Sequence, residues 1–426
     1  MFEETSAVKP TRIVFGSLIA LLLGPAAHAG EAPGPGEWTR FRGPDGTGIS
    51  PATGIPVKWT DTDYKWKVTL PGTGHSSPVL WGDKLFLTCG DKETAQRIAL
   101  CLRAADGSTL WEKRCDSTVH VVNQANSFAS STPAVDQDHV YVYWTTKEEI
   151  TLLALDHAGK EVWRRNFGEF ISEHGSGVSP IIVGDLVVLA NDQEGNCSLI
   201  AVDRKTGTDR WVVPRTTTKA AYGTPCLYRP EGGPPELIFM CQSHGVTSLD
   251  PATGQVNWEL KDAFPLRVVV SPVVAEGLVV GSCGVGGVAR RFVAVQPGSK
   301  KGGTQPKLVW EQKKAIPYVP TPLAKDGKLF LWTDNGVVRC LRAATGEQVW
   351  EGRVQDLFYG SPIWVEGRLY CISRKGVVHV VSAGDKFGLL ATNPLGEGSH
   401  ATPAIAGGVL YLRTFTHLVA IGGKKP

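Results

Sequence analysis

The side chains best suited to bind a ligand occupy one position of a repeated pattern, three residues before the proline of a Ser-Pro or Thr-Pro pair. Eight such pairs occur, and the residues at that position are His75, Ser130, Gly177, Tyr222, Val269, Val319, Tyr359 and His400. Imidazole and phenol groups can stack on a ligand and form a few directed hydrogen bonds with it. Two histidines without a carboxylate nearby in sequence provide too few ligands for a typical metal site. The pattern therefore indicates either ligand contacts or hydrogen-bonded histidines with a structural role.

Two further polar residues precede the same kind of pair. Arg267 lies five residues before Pro272, and Asn126 lies seven residues before Pro133. If the eight positions surround one opening, both side chains can reach its rim. We predict ligand binding at His75, Tyr222, Tyr359 and His400, with Arg267 and Asn126 beside them.

No pattern typical of catalysis accompanies these residues. The chain has no Gly-x-Ser-x-Gly, His-Glu-x-x-His or Cys-x-x-Cys motif. The glycine-rich segment 281–287 does not lead into a helix, which argues against the usual phosphate-binding loop. We therefore predict no catalytic residue and no metal ligand.

The nine cysteines also have a structural explanation. Cys101 and Cys340 stand where other copies of the pattern carry Ala201 or Ser248, a small-residue position in a buried strand. Cys226 and Cys241 flank one hairpin, and whether they pair in an oxidising compartment stays open. An odd number of cysteines leaves at least one free thiol in a monomer.

The elements that position these residues are repeated units of short strands. In the unit 321–350, turn residues separate the strands at 326–327, 334–336 and 344–346. Its Asp-Gly and Asn-Gly pairs supply the positive φ angles that tight hairpins need, because glycine has no Cβ. The Ser/Thr-Pro pairs recur every 40 to 55 residues, and proline is tolerated where a strand starts. This period predicts an all-β, eight-bladed β-propeller of four-stranded antiparallel blades.

Tryptophans end most of these units, and five of them follow a glycine by four residues. The eighth unit stops one strand short, whereas the segment 64–70 ahead of the first unit is an orphan strand that carries a tryptophan. Pairing this N-terminal strand into the last blade closes the ring and leaves no long unpaired edge. The tryptophans concerned are Trp66, Trp111, Trp163, Trp211, Trp258, Trp310 and Trp350.

The combined pattern resembles the pyrroloquinoline-quinone (PQQ)-type propeller repeat. It consists of a Ser/Thr-Pro strand, a strand that ends like Ala-Leu-Asp (residues 153–156, 201–203 and 248–250), then Thr-Gly and Trp, and it covers roughly residues 60–422. The family includes quinoprotein dehydrogenases and cofactor-free relatives such as the outer-membrane assembly lipoprotein B. In that family the tryptophans staple neighbouring blades, so the resemblance implies that the seven tryptophans are structural.

The resemblance leaves the function open among three hypotheses. The chain has no two adjacent cysteines and lacks the long inter-blade insertions of the dehydrogenases, which favours a non-enzymatic binding or scaffold propeller without a cofactor. We expect such a protein to bind a partner protein or a small ligand at the propeller funnel, the opening that the eight positions before the prolines would surround. The first alternative is a PQQ-dependent oxidoreductase of alcohol or sugar dehydrogenase type, which would use PQQ with calcium. The second is an outer-membrane assembly scaffold.

Residues 1–29 have the layout of a secretory signal peptide. A basic region precedes the apolar run 13–23, and Ala27-His28-Ala29 offers a cleavage site. An N-terminal membrane anchor is the alternative, but the apolar run is broken at Gly24-Pro25 and is shorter than a spanning helix. The first cysteine, Cys89, is too distant from that site for lipid attachment. We expect an exported periplasmic or extracellular protein without a transmembrane span in its mature form.

The remaining chain is predicted to contain three parts. Residues 30–60 form an irregular leader that Trp38 and Phe41 pin to the domain surface, residues 61–422 form the propeller, and residues 423–426 form a tail. The formal net charge of +3 and the scattered basic residues indicate no nucleic-acid partner. We expect a monomer.

Overall fold

The computed structural model describes residues 1–2, 37–299 and 302–422. Apart from residues 1–2, the predicted signal peptide lies outside the described residues, as do the first part of the leader (30–36) and the tail. Within the described ranges, no helix has the length and hydrophobicity to cross a membrane. Three short 3-10 helices occur there, at Pro44–Gly46, Asp61–Asp63 and Lys261–Ala263.

Eight antiparallel sheets form the blades of a propeller, as the period of the repeats predicts. In blades 1 to 4 the strands pair in chain order. Blade 1 contains β2 (Val79–Trp81), β3 (Lys84–Gly90), β4 (Arg97–Arg103) and β5 (Thr109–Cys115). Blade 2 contains β6 (Ala134–Val135), β7 (His139–Thr145), β8 (Ile150–Asp156) and β9 (Glu161–Asn166). Blade 3 contains β10 (Ile181–Val183), β11 (Leu186–Asn191), β12 (Cys197–Asp203) and β13 (Asp209–Arg215). Blade 4 contains β14 (Cys226–Tyr228), β15 (Glu236–Cys241), β16 (Gly245–Leu249) and β17 (Val256–Leu260).

Blades 6 and 7 follow the same order, blade 5 has one additional short strand, and blade 8 includes the N-terminal strand. Blade 5 contains β18 (Arg267–Val268), β19 (Val273–Ala275), β20 (Leu278–Val285), β21 (Val288–Gln296) and β22 (Lys307–Gln312). Blade 6 contains β23 (Leu323–Lys325), β24 (Lys328–Trp332), β25 (Val337–Arg342) and β26 (Gln348–Arg353). Blade 7 contains β27 (Ile363–Val365), β28 (Arg368–Ile372), β29 (Val377–Ser382) and β30 (Leu389–Pro394). Blade 8 contains β31 (Ala404–Ala406), β32 (Val409–Arg413), β33 (His417–Gly422) and the N-terminal strand β1 (Tyr64–Thr69).

The N-terminal strand closes the ring. β1 pairs antiparallel with β33, so that Trp66 lies opposite Ala420 and Thr69 lies opposite His417. The predicted closure is therefore confirmed, and it gives the last blade its fourth strand. Without β1, the outer edge of β33 would expose unpaired backbone N–H and C=O groups; the N-terminal end of the domain supplies the strand that pairs with them.

A continuous ring of hydrogen bonds joins the first strands of all eight blades. In each Ser/Thr-Pro pair, the backbone N–H of the Ser or Thr donates to the side-chain hydroxyl of the Ser or Thr in the next blade, at 2.9–3.2 Å. The last bond, from the Thr402 N–H to Ser77 Oγ, returns to the first blade. All eight residues are buried, and they are Ser77, Thr132, Ser179, Thr224, Ser271, Thr321, Ser361 and Thr402. Sequence reasoning identified these pairs only as strand starts.

The tryptophans staple neighbouring blades at the outer strands, as the resemblance implies. Six indole N–H groups donate at 2.9–3.0 Å to a backbone carbonyl of the following blade; the donors are Trp66, Trp111, Trp163, Trp211, Trp310 and Trp350. Trp258 instead donates to the Glu236 carboxylate of its own blade, at 2.8 Å. The following blade differs there in sequence: β21 ends at Gln296 and β22 begins at Lys307, without the short Thr-Gly segment of blades 3, 4 and 6.

We expected Trp38 and Phe41 to pin the leader to the domain surface, but part of the described leader enters the propeller, and Phe41 itself is half-buried. The Trp38 side chain is fully buried, and its backbone pairs with Leu80 of blade 1. Arg40 and Arg42 are also buried and donate to the carbonyls of Pro225 and Pro322, which follow the ring residues of blades 4 and 6. Residues 38–42 therefore run across the axis of the propeller.

All nine cysteines are buried and free, including the two that flank a hairpin. Cys226 lies opposite Ile238, and Cys241 lies opposite Gly245. The two cysteines are therefore not cross-strand neighbours, and no disulfide joins them.

Thr132→Val should test the hydrogen-bonded ring. The substitution keeps the shape of the side chain but removes the hydroxyl that accepts the Ser77 N–H at 2.9 Å. A buried N–H without an acceptor costs about 1–3 kcal/mol of unfolding free energy. The control is Thr345→Val, which removes an exposed turn hydroxyl and should cost less than about 0.5 kcal/mol. Equal denaturant midpoints for the two variants would contradict a role for the ring.

Gly207→Ala should test the staple. Gly207 has a φ of +71°, and a Cβ there would lie 2.7 Å from Cδ2 of Trp163 in the preceding blade. Gly184 has a φ of +57°, but a Cβ there would meet no atom within 4 Å. Both alanine variants should have similar backbone strain, because both positions have a positive φ angle. We expect Gly207→Ala to lower the unfolding free energy by at least about 1 kcal/mol more than Gly184→Ala; equal losses would mean that the Trp163 ring adapts freely.

Candidate functional site

The eight positions before the Ser/Thr-Pro pairs share one environment. Each residue is half-buried, and the residue that follows it is buried. Because the hydrogen-bonded ring holds all eight first strands around the axis, these side chains lie where the chain enters the ring. We call the opening that they surround the funnel.

The structure brings three of the predicted binding residues together. The rings of His75, before blade 1, and His400, before blade 8, have centroids 4.5 Å apart. Tyr359, before blade 7, lies 4.8 Å from His400, and Phe415 of blade 8 lies 5.2 Å from His400 and 5.7 Å from His75. We call His75, Tyr359, His400 and Phe415 the aromatic cluster. The Arg374 guanidinium covers Tyr359 at 4.6 Å from its ring centroid.

Both imidazoles of the cluster are held neutral. Burial, the neighbouring His400 and the cations Arg413 and Lys92 lower the pKa of His75 to about 2. Burial and Arg374 lower the pKa of His400 to about 4, against a weaker opposing backbone hydrogen bond to Ala125. Nδ1 of His400 is buried and has no hydrogen-bond partner among the described residues. The cluster is therefore an uncharged stacking surface.

Tyr222 and Arg267 form a separate group. The Tyr222 hydroxyl lies 3.2 Å from Ser172 Oγ. Arg267 donates to Glu173 at 2.8 Å and contacts Nε2 of His174 at 2.9 Å. Its guanidinium is thus neutralised by a carboxylate, and no contact joins this group to the aromatic cluster in the described chain.

Asn126 has a positioning role in this structure. Its side-chain amide donates to the carbonyls of His174 and Ser176, at 2.6 and 3.1 Å. These bonds tie the loop between blades 1 and 2 to the loop that carries His174, the partner of Arg267. Asn126 lies at the predicted rim, but its donors are already used by backbone acceptors.

Sequence reasoning missed three residues around the funnel. Phe415 and Arg374 lie outside the repeated position, and only their contacts with Tyr359 and His400 identify them. The third, Asp334, was interpreted only as a turn residue. Its carboxylate accepts the backbone N–H groups of Tyr318 and Val319 at 2.7 and 3.1 Å, and burial raises its pKa to about 6.

The funnel does not supply the ligands that calcium requires. Calcium takes six to eight oxygen ligands, several from carboxylates. Within the described part of the chain, no three His, Cys, Asp or Glu residues are arranged to hold a metal ion. Glu173 is paired with Arg267, and Asp334 is engaged with backbone N–H groups. PQQ bound through calcium therefore does not fit this set of residues.

Comparison with known proteins gives one family and several similar folds. The family profile described as "Outer membrane protein assembly factor BamB" matches residues 95–301 and 301–424. BamB from Moraxella catarrhalis is similar with a TM-score of 0.59 and 14% identity, over 84% of this chain and 97% of that chain. Quinohemoprotein alcohol dehydrogenase from Comamonas testosteroni is similar with a TM-score of 0.64 and 13% identity, over 92% of this chain and 81% of that chain. The search of curated proteins finds no match. Structural likeness at these identities shows the fold alone.

The neutral histidines predict a specific pH dependence of stability. A histidine whose folded-state pKa is lowered takes up its proton more readily in the unfolded chain, so the folded state loses stability as the pH falls below about 6.5. The loss should continue to about pH 4 for His400 and further for His75. Each histidine should contribute up to about 1.4 kcal/mol per pH unit.

Denaturant unfolding between pH 4.5 and 7 measures this effect. His75→Gln with His400→Gln should flatten the dependence of unfolding free energy on pH. Tyr359→Phe, which alters the same cluster without removing an imidazole, should keep the steep dependence. A double variant with the original slope would show that other groups cause the acid sensitivity.

Proposed function

Because the chain belongs to the PQQ-type propeller family whose profile is described as outer membrane protein assembly factor BamB, we propose that it is a non-enzymatic binding propeller. The proposed binding surface is the aromatic cluster in the funnel, and the proposed occupant is a segment of a partner protein or a small ligand. We propose that the protein acts after export, in the periplasm or outside the cell, since residues 1–29 have the layout of a signal peptide.

The observation that carries this proposal is the composition of the aromatic cluster. Blades 1 and 7 each contribute one ring and blade 8 contributes two, and ring closure brings the first and last blades together. The four rings provide stacking area, and Arg374 provides a cation over Tyr359. Concave surfaces with apolar rings and a few placed polar groups are typical of binding sites.

An oxidoreductase has less support from the same residues. The aromatic cluster contains no carboxylate. Glu173 is paired with Arg267, Asp334 is engaged by backbone N–H groups, and Glu397 is engaged by Thr414, Thr416 and His417. PQQ and calcium added to the purified protein should therefore produce neither a stable cofactor spectrum nor dye reduction with alcohols or sugars.

The experiment is a comparison of binding by matched variants. Immobilised protein is incubated with envelope extract, and retained proteins and small molecules are quantified by mass spectrometry. We expect His75→Ala with His400→Ala to abolish the specific retention that the unsubstituted protein shows, with a nearly unchanged melting temperature. His139→Ala is the control. His139 begins β7, which follows the first strand of blade 2 at the end away from the funnel, so this substitution should leave retention intact.

A second pair of substitutions makes the result decisive. Tyr222→Ala with Tyr359→Ala removes rings from both groups of funnel residues. Retention that survives both double variants would show that the funnel is only structural and that the binding surface lies elsewhere.

A further inference from the structure

The leader places two arginines in the axis of the propeller. Only 1% of the Arg42 surface and 8% of the Arg40 surface is exposed. Nη2 of Arg40 donates to the carbonyl of Pro225 at 2.8 Å, and Nη2 of Arg42 donates to the carbonyl of Pro322 at 2.6 Å. These carbonyls belong to blades 4 and 6, so the two side chains reach into the space that the first strands surround.

Several N–H groups of these arginines have no acceptor. Nε of Arg40, and Nε and Nη1 of Arg42, are buried without a hydrogen-bond partner in the described part of the chain. An unmade hydrogen bond at a buried charged group costs more than one at a neutral group. Native structures rarely leave such donors unsatisfied, and an unsatisfied buried donor can mark the place of an ion or a water molecule.

The positive charge of this pair is also uncompensated. Asp45, the one carboxylate that acts on Arg40, has a side chain 55% exposed and is paired with Arg229 at 3.1 Å. The nearby Cys226 thiol is neutral, since burial raises its pKa to about 12. Burial, and then repulsion by Arg40, lower the pKa of Arg42 to about 9. A buried cation normally has a counter-charge, because burial removes its hydration.

We propose that a small inorganic anion binds in the axial channel between Arg40 and Arg42. Propeller blades surround a central channel, and the unpaired guanidinium N–H groups provide donors there. The hydroxyls of the ring residues use an oxygen lone pair for the backbone N–H of the neighbouring blade, and each retains its own O–H as a further donor. The bound anion offsets part of the positive charge of the two arginines and locks residues 38–48 across the channel.

Thermal unfolding of the full chain in bromide tests this assignment. Sodium bromide replaces sodium gluconate at constant ionic strength, so that general screening does not change. Above the dissociation constant, the melting temperature should rise by roughly 2 °C for each tenfold increase in bromide. Arg40→Met with Arg42→Met should lose this dependence. Arg229→Met, which removes an exposed arginine near the leader, should retain it.

Crystallography gives an independent result if the double variant does not fold. Crystals of the unsubstituted protein grown in bromide should show an anomalous peak within hydrogen-bond distance of Nε of Arg40 and of Nε or Nη1 of Arg42. A melting temperature that is independent of bromide, together with no anomalous peak at the axis, would overturn the proposal. A bromide dependence that the double methionine variant retains would also overturn it.

Discussion

The closed ring of eight hydrogen bonds is the constraint on which the rest of this propeller depends. Each bond links the backbone N–H of one blade to the side-chain hydroxyl of the next, and the bond from Thr402 to Ser77 completes the circle. One bond of this kind contributes only about 1 kcal/mol to stability, but a missing acceptor leaves a buried N–H unsatisfied. The ring therefore fixes the first strands of all blades relative to one another. The proline that follows each ring residue has no N–H, and its carbonyl stays available to the leader arginines in blades 4 and 6.

The ring explains why the candidate site forms where it does. Residues three positions before each proline share a fixed offset from a ring residue, so they surround one opening. His75 and His400 are far apart in sequence, but they are in contact because β1 closes the circle between blades 8 and 1. Burial then keeps both imidazoles neutral, and the funnel presents stacking surface rather than charge. The two ends of the axis thus differ, since the leader brings two guanidinium groups to the channel while the funnel offers uncharged rings.

Much of the fold was predictable because its signals are local and repeated. Ser/Thr-Pro pairs, Asp-Gly turns and terminal tryptophans recur often enough to count blades, and the missing strand of the eighth unit identified β1 as its partner. The ring itself was present in the sequence as an unbroken series of Ser and Thr before proline. The hydrogen bonds between these residues could not be predicted, because they form only where neighbouring blades meet at the axis, and no single repeat shows that contact. The course of the leader was not predictable, because it has no periodicity and the partners of Arg40 and Arg42 lie in blades 4 and 6.

The site was only partly predictable, because contacts between residues that are distant in sequence complete it. The repeated position identified His75, Tyr359 and His400, but Phe415 and Arg374 belong to other positions and are linked to them only through space. Tyr222 and Arg267 have the right residue types but face their own partners, Ser172 and Glu173.

Hydrogen–deuterium exchange measured by mass spectrometry tests the central role of the ring most directly. The amides of the eight ring residues should exchange last and together, at the rate set by global unfolding, whereas amides of the outer strands should exchange earlier. Exchange of ring amides as early as those of the outer strands, or at different rates from blade to blade, would contradict that role.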